Sequence, residues 1–258
     1  NNETEWIESP HGWEDEDEEE DNEHNSMDSF FDNPDPRDSF HFQVVTQNKD
    51  DDTPPSSMSK TIKVAGFKLD SNETAKSTGV TLWHGSTPLA KYIMMNSTEY
   101  IKDRNVMELG AGLGLVGIVA HCLGAKQTML TDGDTNTLKK MRENVKHNFD
   151  NGDDDTKNTI SCRQLLWGNE NSQSLKDAYG TFDTILASDV IYTPTSIDPL
   201  FDTVVTFLKK PHGRFLLSWF TRVNGVTIDT VLDAAKCRNL DWTETKEGIY
   251  IFVFGQDK

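Results

Sequence analysis

The sequence predicts an α/β protein: a doubly wound, mainly parallel sheet with helices on both faces, preceded by a disordered acidic tail. Three observations predict it. From residue 86 onward, short apolar segments alternate with segments of helical period. A strand running into closely spaced glycines sits near the start of that alternation. The acidic charge is concentrated ahead of both.

The charge sets the domain division. Residues 1–60 carry 19 Asp and Glu against 3 Lys and Arg, a net of −16, while the remaining residues carry 24 against 22, a net of −2. Glu14 to Asp21 is a run of carboxylates that repel one another and resist burial, so residues 1–56 are expected to be a solvated tail and 57–258 the folded domain. Phe30, Phe31, Phe40 and Phe42 sit beside acids there, a composition that suits a short docking motif for a basic protein partner. Neither part has the basic excess of a nucleic-acid binder. No apolar run approaches bilayer length, and no signal-peptide pattern opens the chain. Cys122, Cys162 and Cys237 are odd in number and far apart, which suits a reducing compartment, cytoplasm or nucleus, and no metal site is expected. A monomer is the default expectation.

The elements follow in order. Thr61–Val64 and Phe67–Leu69 alternate polar and apolar residues like a hairpin. Leu89, Ala90, Ile93 and Met94 have helical spacing within residues 86–95. Strands are expected over 105–109, 127–131, 159–166, 182–188, 214–219 and 248–254. Helices are expected over 112–123, closed by Gly124, and over 134–148, 198–208 and 227–237. In such a sheet, ligands bind beyond the carboxyl ends of the strands.

The segment Val106-Met107-Glu108-Leu109-Gly110-Ala111-Gly112-Leu113-Gly114 is therefore the first candidate site. Glycines let the chain turn sharply and let a ligand approach the backbone. The helix N-terminus behind them offers free N–H groups. Gly112 to Gly117 also satisfies the dinucleotide fingerprint, so the glycines alone leave an NAD-type oxidoreductase open. Asp132 ends the next strand, where a carboxylate reads ribose hydroxyls, and Asp134 is the better cap for the helix that follows. Glu108, on the strand before the turn, would repel a diphosphate but suit a cationic sulfonium.

Three further signatures follow the glycine loop's logic: Thr81-Leu82-Trp83 ahead of a helix reaching Lys91-Tyr92, Leu165-Leu166-Trp167-Gly168 after the third strand, and Ala187-Ser188-Asp189-Val190-Ile191-Tyr192 after the fourth. With these the chain resembles the seven-β-strand protein methyltransferases of methyltransferase family 16 over roughly residues 79–254. The resemblance implies the Rossmann-like, seven-stranded class I methyltransferase fold, S-adenosyl-L-methionine as cofactor and transfer of a methyl group to a protein side chain. It puts cofactor contacts on Trp83, Gly110, Ala111, Gly112, Asp132, Trp167 and Ser188, and catalytic roles on Asp189 and Tyr192. The Asp-x-x-Tyr spacing favours lysine as acceptor. Arginine, histidine and a non-catalytic cofactor-binding module stay open as alternatives. The chain departs from the family pattern at Leu113, often threonine, and at His84, often proline.

Overall fold

The computed structural model describes residues 8–10, 37–47, 57–149, 159–220, 226–246 and 248–255. Two sheets are present among these residues. The smaller has the order β1-β2-β3, formed by β1 (Glu8–Pro10), β2 (Arg37–Gln47) and β3 (Ser57–Phe67), with both pairings antiparallel. After it come α1 (Asn72–Lys76), a short 3-10 turn at Thr78–Val80, α2 (Ser86–Met95) and α3 (Ser97–Tyr100).

The larger sheet is built from β4 (Asn105–Leu109), β5 (Gln127–Asp132), β6 (Ile160–Gln164), β7 (Thr184–Ser188), β8 (Arg214–Ser218), β9 (Leu240–Glu244) and β10 (Ile249–Phe254). Its order is β6-β5-β4-β7-β8-β10-β9, parallel throughout except β10, which runs antiparallel to both neighbours. The connecting helices are α4 (Leu115–Cys122), α5 (Thr135–Phe149), α6 (Asn169–Tyr179), α7 (Ile197–Phe207) and α8 (Ile228–Lys236).

Strand order reverses between β4 and β7, each the start of one half of the sheet, so a crevice opens beyond their carboxyl ends. Both faces of the sheet are covered. One apolar layer joins α2, α4 and α5 to Phe42, Val44, Ile62 and Val64 of the small sheet. The other joins α7 and α8 to the opposite face, where Phe215 stacks on Phe252 and Phe201 meets both edge-on, with centroids 5.3–6.0 Å apart. Every residue of β7 is buried, as a central parallel strand requires.

Four expectations need correction. Residues 37–47, placed in the tail, form a strand whose Phe42 is completely buried, so the folded unit begins before residue 57. The run Glu14–Asp21 and Phe30 and Phe31 lie outside the described residues. The hairpin expected within 61–69 is one strand paired upstream with β2, and Leu69 is exposed. The helix expected from Gly112 starts at Leu115, because Gly112 and Gly114 have φ of 55° and 89°, incompatible with a right-handed helix. Finally, α6 and β9 were not anticipated. The sequence of α6 is mostly polar, and β9 is an edge strand with three exposed residues of five.

Candidate active site

The crevice is lined by the turns that leave β4, β5, β6 and β7, and the glycine loop is its floor. Gly110, Gly112 and Gly114 all have positive φ, between 55° and 89°. The loop is pinned from several sides. Ala111 N–H donates to the Thr131 carbonyl at 2.9 Å, Gly114 N–H to the Ala111 carbonyl at 2.8 Å, and Gly112 N–H to Asp132 Oδ2 at 3.1 Å. A Cβ on Gly110 would lie 2.7 Å from Val190 and 3.2 Å from the Trp167 ring, so Trp167 and the turn after β7 both close on the loop. Gly110, Ala111, Gly112, Asp132 and Trp167 are thus brought together at one crevice.

Asp132 emerges half-buried at the end of β5, its other oxygen accepting the Asp134 N–H at 3.0 Å. Burial raises its pKa above the usual carboxylate range, and the Asp134 and Gly112 amides offset part of that rise. Asp134 is the cap, as its position suggested. Its Oδ1 accepts the amides of Asn136 at 2.7 Å and Thr137 at 2.9 Å, which leaves Asp132 for the crevice.

A strap of residues 77–83 crosses the loop. Ser77 Oγ donates to Asp134 Oδ1 at 3.0 Å, and the Gly79 carbonyl would lie 3.2 Å from a Cβ on Gly112. The Trp83 indole N–H donates to the Thr78 carbonyl at 2.7 Å, which fixes the half-buried ring on this strap. The strap then runs into α2, and Gly85 and Ser86 meet the turn after β7. Ser86 Oγ is 3.2 Å from Ser188 Oγ, and a Cβ on Gly85 would lie 2.8 Å from Asp189 Cβ. Gly85, Ser86 and Val190 were not singled out in the sequence. The glycine following Trp83-His84 was the signal available for Gly85.

Asp189 has φ of 58°, a left-handed conformation in which a non-glycine residue is strained. Its N–H donates to the Ser218 carbonyl at 3.1 Å, so the residue continues the β7–β8 pairing while its backbone turns out of the sheet. Tyr192, three residues on, is 53% exposed, an open aromatic face beside that turn. Asp189 thus stands on the carboxyl edge of a central strand, at the turn that meets Gly85.

Glu108 is a correction. It was expected to face the cofactor, but it is 1% exposed and points under the loop. Its Oε2 accepts the Gly117 N–H in the first turn of α4 at 2.7 Å, and a Cβ on Gly117 would lie 2.8 Å from that oxygen. Burial pushes its pKa up to about 8, against the lowering effect of the Gly117 amide, with a further rise from Asp132. Near neutral pH it is an uncharged strut beneath the loop. Among the described residues no group of three His, Cys, Asp or Glu side chains could hold a metal ion. No helix there is long and apolar enough to cross a membrane.

Comparison with known proteins agrees with this arrangement. A family model described as lysine methyltransferase matches residues 65–227. Protein N-lysine methyltransferase METTL21A of Xenopus tropicalis is 34% identical over 162 residues, 62% of this chain and 70% of that one. Protein-lysine methyltransferase METTL21E of Bos taurus is 33% identical over 157 residues, 60% of this chain. Protein N-terminal and lysine N-methyltransferase EFM7 of Yarrowia lipolytica is 31% identical over 127 residues. The chain spans 51% of the Bos taurus protein and 46% of the Yarrowia one. Among solved structures, a putative SAM-dependent methyltransferase from Streptococcus mutans superposes with a TM-score of 0.53 at 11% identity, over 74% of this chain and 52% of that one. The match of the family model over most of the folded region, on the same crevice that the strands and glycines build, means that the chain belongs to the lysine methyltransferase family.

Proposed function

We propose that this protein is an S-adenosyl-L-methionine-dependent N-methyltransferase acting on a lysine side chain of another protein. The observation that carries the reading is the junction of Gly85, Ser86, Ser188 and Asp189, which sets a strained carboxylate beside a glycine-floored crevice.

The residues present fit the cofactor. Positive φ at Gly110, Gly112 and Gly114 gives the sharp turn that presents loop backbone to a ligand, Asp132 supplies a carboxylate for two ribose hydroxyls, and Trp167 supplies an aromatic border for adenine. Gly110, Ala111, Gly112 and Ser188 would line the pocket, with Trp83 covering the methionine end. Bound there, S-adenosylmethionine supplies an electrophilic methyl group.

The chain's own residues then have one task, to deliver an amine with a free lone pair in line with that methyl. A lysine amine is protonated near neutral pH. Asp189 would accept a hydrogen bond from the amine and orient it, while Tyr192 forms one wall of an aromatic channel whose low polarity favours the neutral amine. The proposal extends to a basic protein substrate, supported by the acidic run Glu14–Asp21, and to a monomer acting in the cytoplasm or nucleus. Sedimentation as a dimer would contradict the monomer.

Calorimetric titration with S-adenosylhomocysteine and separately with NAD tests the cofactor. Binding of the homocysteine compound alone is expected, weakened about 10–100-fold in Asp132→Ala through loss of charge-assisted hydrogen bonds. Binding of NAD alone would overturn the reading.

A further inference from the structure

The small sheet is more than a cover for α4. Its edge strand β3 is closed by side chains of α5 in place of another strand. Asn148 Oδ1 accepts the Lys63 N–H at 3.0 Å and its Nδ2 donates to the Lys63 carbonyl at 2.7 Å. One helical turn earlier, Asn144 makes the same pair with Ala65, at 2.9 and 3.0 Å. The two asparagines are four residues apart on one face of α5, and Lys63 and Ala65 are the alternate residues of β3 whose peptide groups turn away from β2. The match of helical and strand repeats lets each amide serve one residue of the strand.

Asn144 does one thing that Asn148 does not. Its Nδ2 also donates to the carbonyl of Leu113, at 3.0 Å, inside the glycine loop. Asn144 is 2% exposed, so both amide hydrogens and the amide oxygen are engaged in a dry environment. The Leu113 side chain meets the same hairpin. A Cβ on Gly66 would lie 2.6 Å from Leu113 Cδ1 and 2.7 Å from the Val80 carbonyl, so the end of β3 rests directly on the loop and on the strap. Leu113 lies between two left-handed glycines, Gly112 and Gly114. Peptide planes beside glycines reorient at little cost, so the direction of that carbonyl needs a fixed partner.

We propose that Asn144 is a positioning residue for the cofactor loop, holding the peptide at Leu113 in its ligand-ready orientation and thereby making cofactor affinity depend on the N-terminal hairpin. Most of that strand pair, residues 37–47 and 57–64, lies outside the span 65–227 matched by the lysine methyltransferase family. The inference rests on the methyltransferase reading only for the identity of the probe.

The pair of asparagines contains its own control. Affinity for S-adenosylhomocysteine and thermal midpoint are measured for the full chain, Asn144→Ala, Asn144→Ser and Asn148→Ala. Asn144→Ala is expected to raise the dissociation constant about five- to tenfold, the worth of a buried amide–carbonyl bond, and Asn148→Ala less than about twofold. Both are expected to lower the midpoint, since both detach the hairpin. Asn144→Ser keeps a hydroxyl that can donate to one carbonyl, and is expected to recover part of the affinity; it also stands in if the alanine variant does not fold. Equal affinities in all variants, or equal losses at positions 144 and 148, would overturn the inference. Failure of the unaltered protein to bind the probe would overturn the methyltransferase reading instead.

Discussion

Replacing Glu108 by Gln tests the buried strut beneath the cofactor loop. The unfolded chain ionises this carboxyl near the ordinary glutamate value of about 4.3. In the folded protein burial lifts it to about 8. Between those values the folded state holds a proton that the unfolded state has released. Stability contributed by the neutral carboxyl is therefore fully present at acid pH and is lost as pH rises towards the folded value, at about 1.4 kcal/mol per pH unit. From about pH 6 to about pH 8 the loss from this one group is about 2.5 kcal/mol, or about 5–10 °C in thermal midpoint for a domain of this size. Glutamine keeps an oxygen to accept the Gly117 N–H and does not ionise, so it removes the pH-dependent part while leaving the start of α4 in place. Thermal midpoints of the two proteins, measured across that range, should diverge, with the glutamine variant gaining steadily on the wild type as pH rises. A midpoint difference independent of pH would refute the reasoning and put Glu108 in contact with water or a cation.

Other substitutions test other parts of the account. Asp189→Gly removes the left-handed strain and should stabilise the protein by about 1 kcal/mol, seen as a midpoint rise of about 2–4 °C, while abolishing methyl transfer. Loss of stability there would mean that the side chain holds the turn together. Phe42→Ala empties a fully buried site between the small sheet and the helices, and should cost about 3–5 kcal/mol in a denaturant titration. A cost below about 1 kcal/mol would return residues 37–47 to the tail.

The alternating core was legible because β4, β5, β7 and β8 are short apolar runs and because glycine, Asp132 and Asp134 punctuate the turns between them. The small sheet was not. The carboxylate run from Glu14 dominates the composition of the first sixty residues and masks the alternation of Phe40, Phe42 and Val44. The crevice was legible where position at or just after a strand end decides which residues gather there: Asp132 ends β5, and Trp167 and Asp189 follow β6 and β7. That reading failed at Glu108 because β4 is buried on both faces, so a side chain beside the turn can point under the loop as readily as into the crevice. Gly117, a glycine within the apolar helix α4, was the sign that something approached that backbone closely. Asn144 carried a comparable signal. It falls on the same helical stripe as Thr137 and Met141, a polar residue on the buried face of α5, where it must have partners.

The most direct test of the proposed activity is transfer of a labelled methyl group from S-adenosylmethionine to protein in a cell extract, followed by identification of the modified amino acid by mass spectrometry. The account predicts label on the side-chain nitrogen of a lysine in a protein acceptor, dependent on Asp189. Label on arginine or histidine, or on nucleic acid, would contradict the assignment of the acceptor, and no transfer by a protein that binds S-adenosylhomocysteine would contradict catalysis itself.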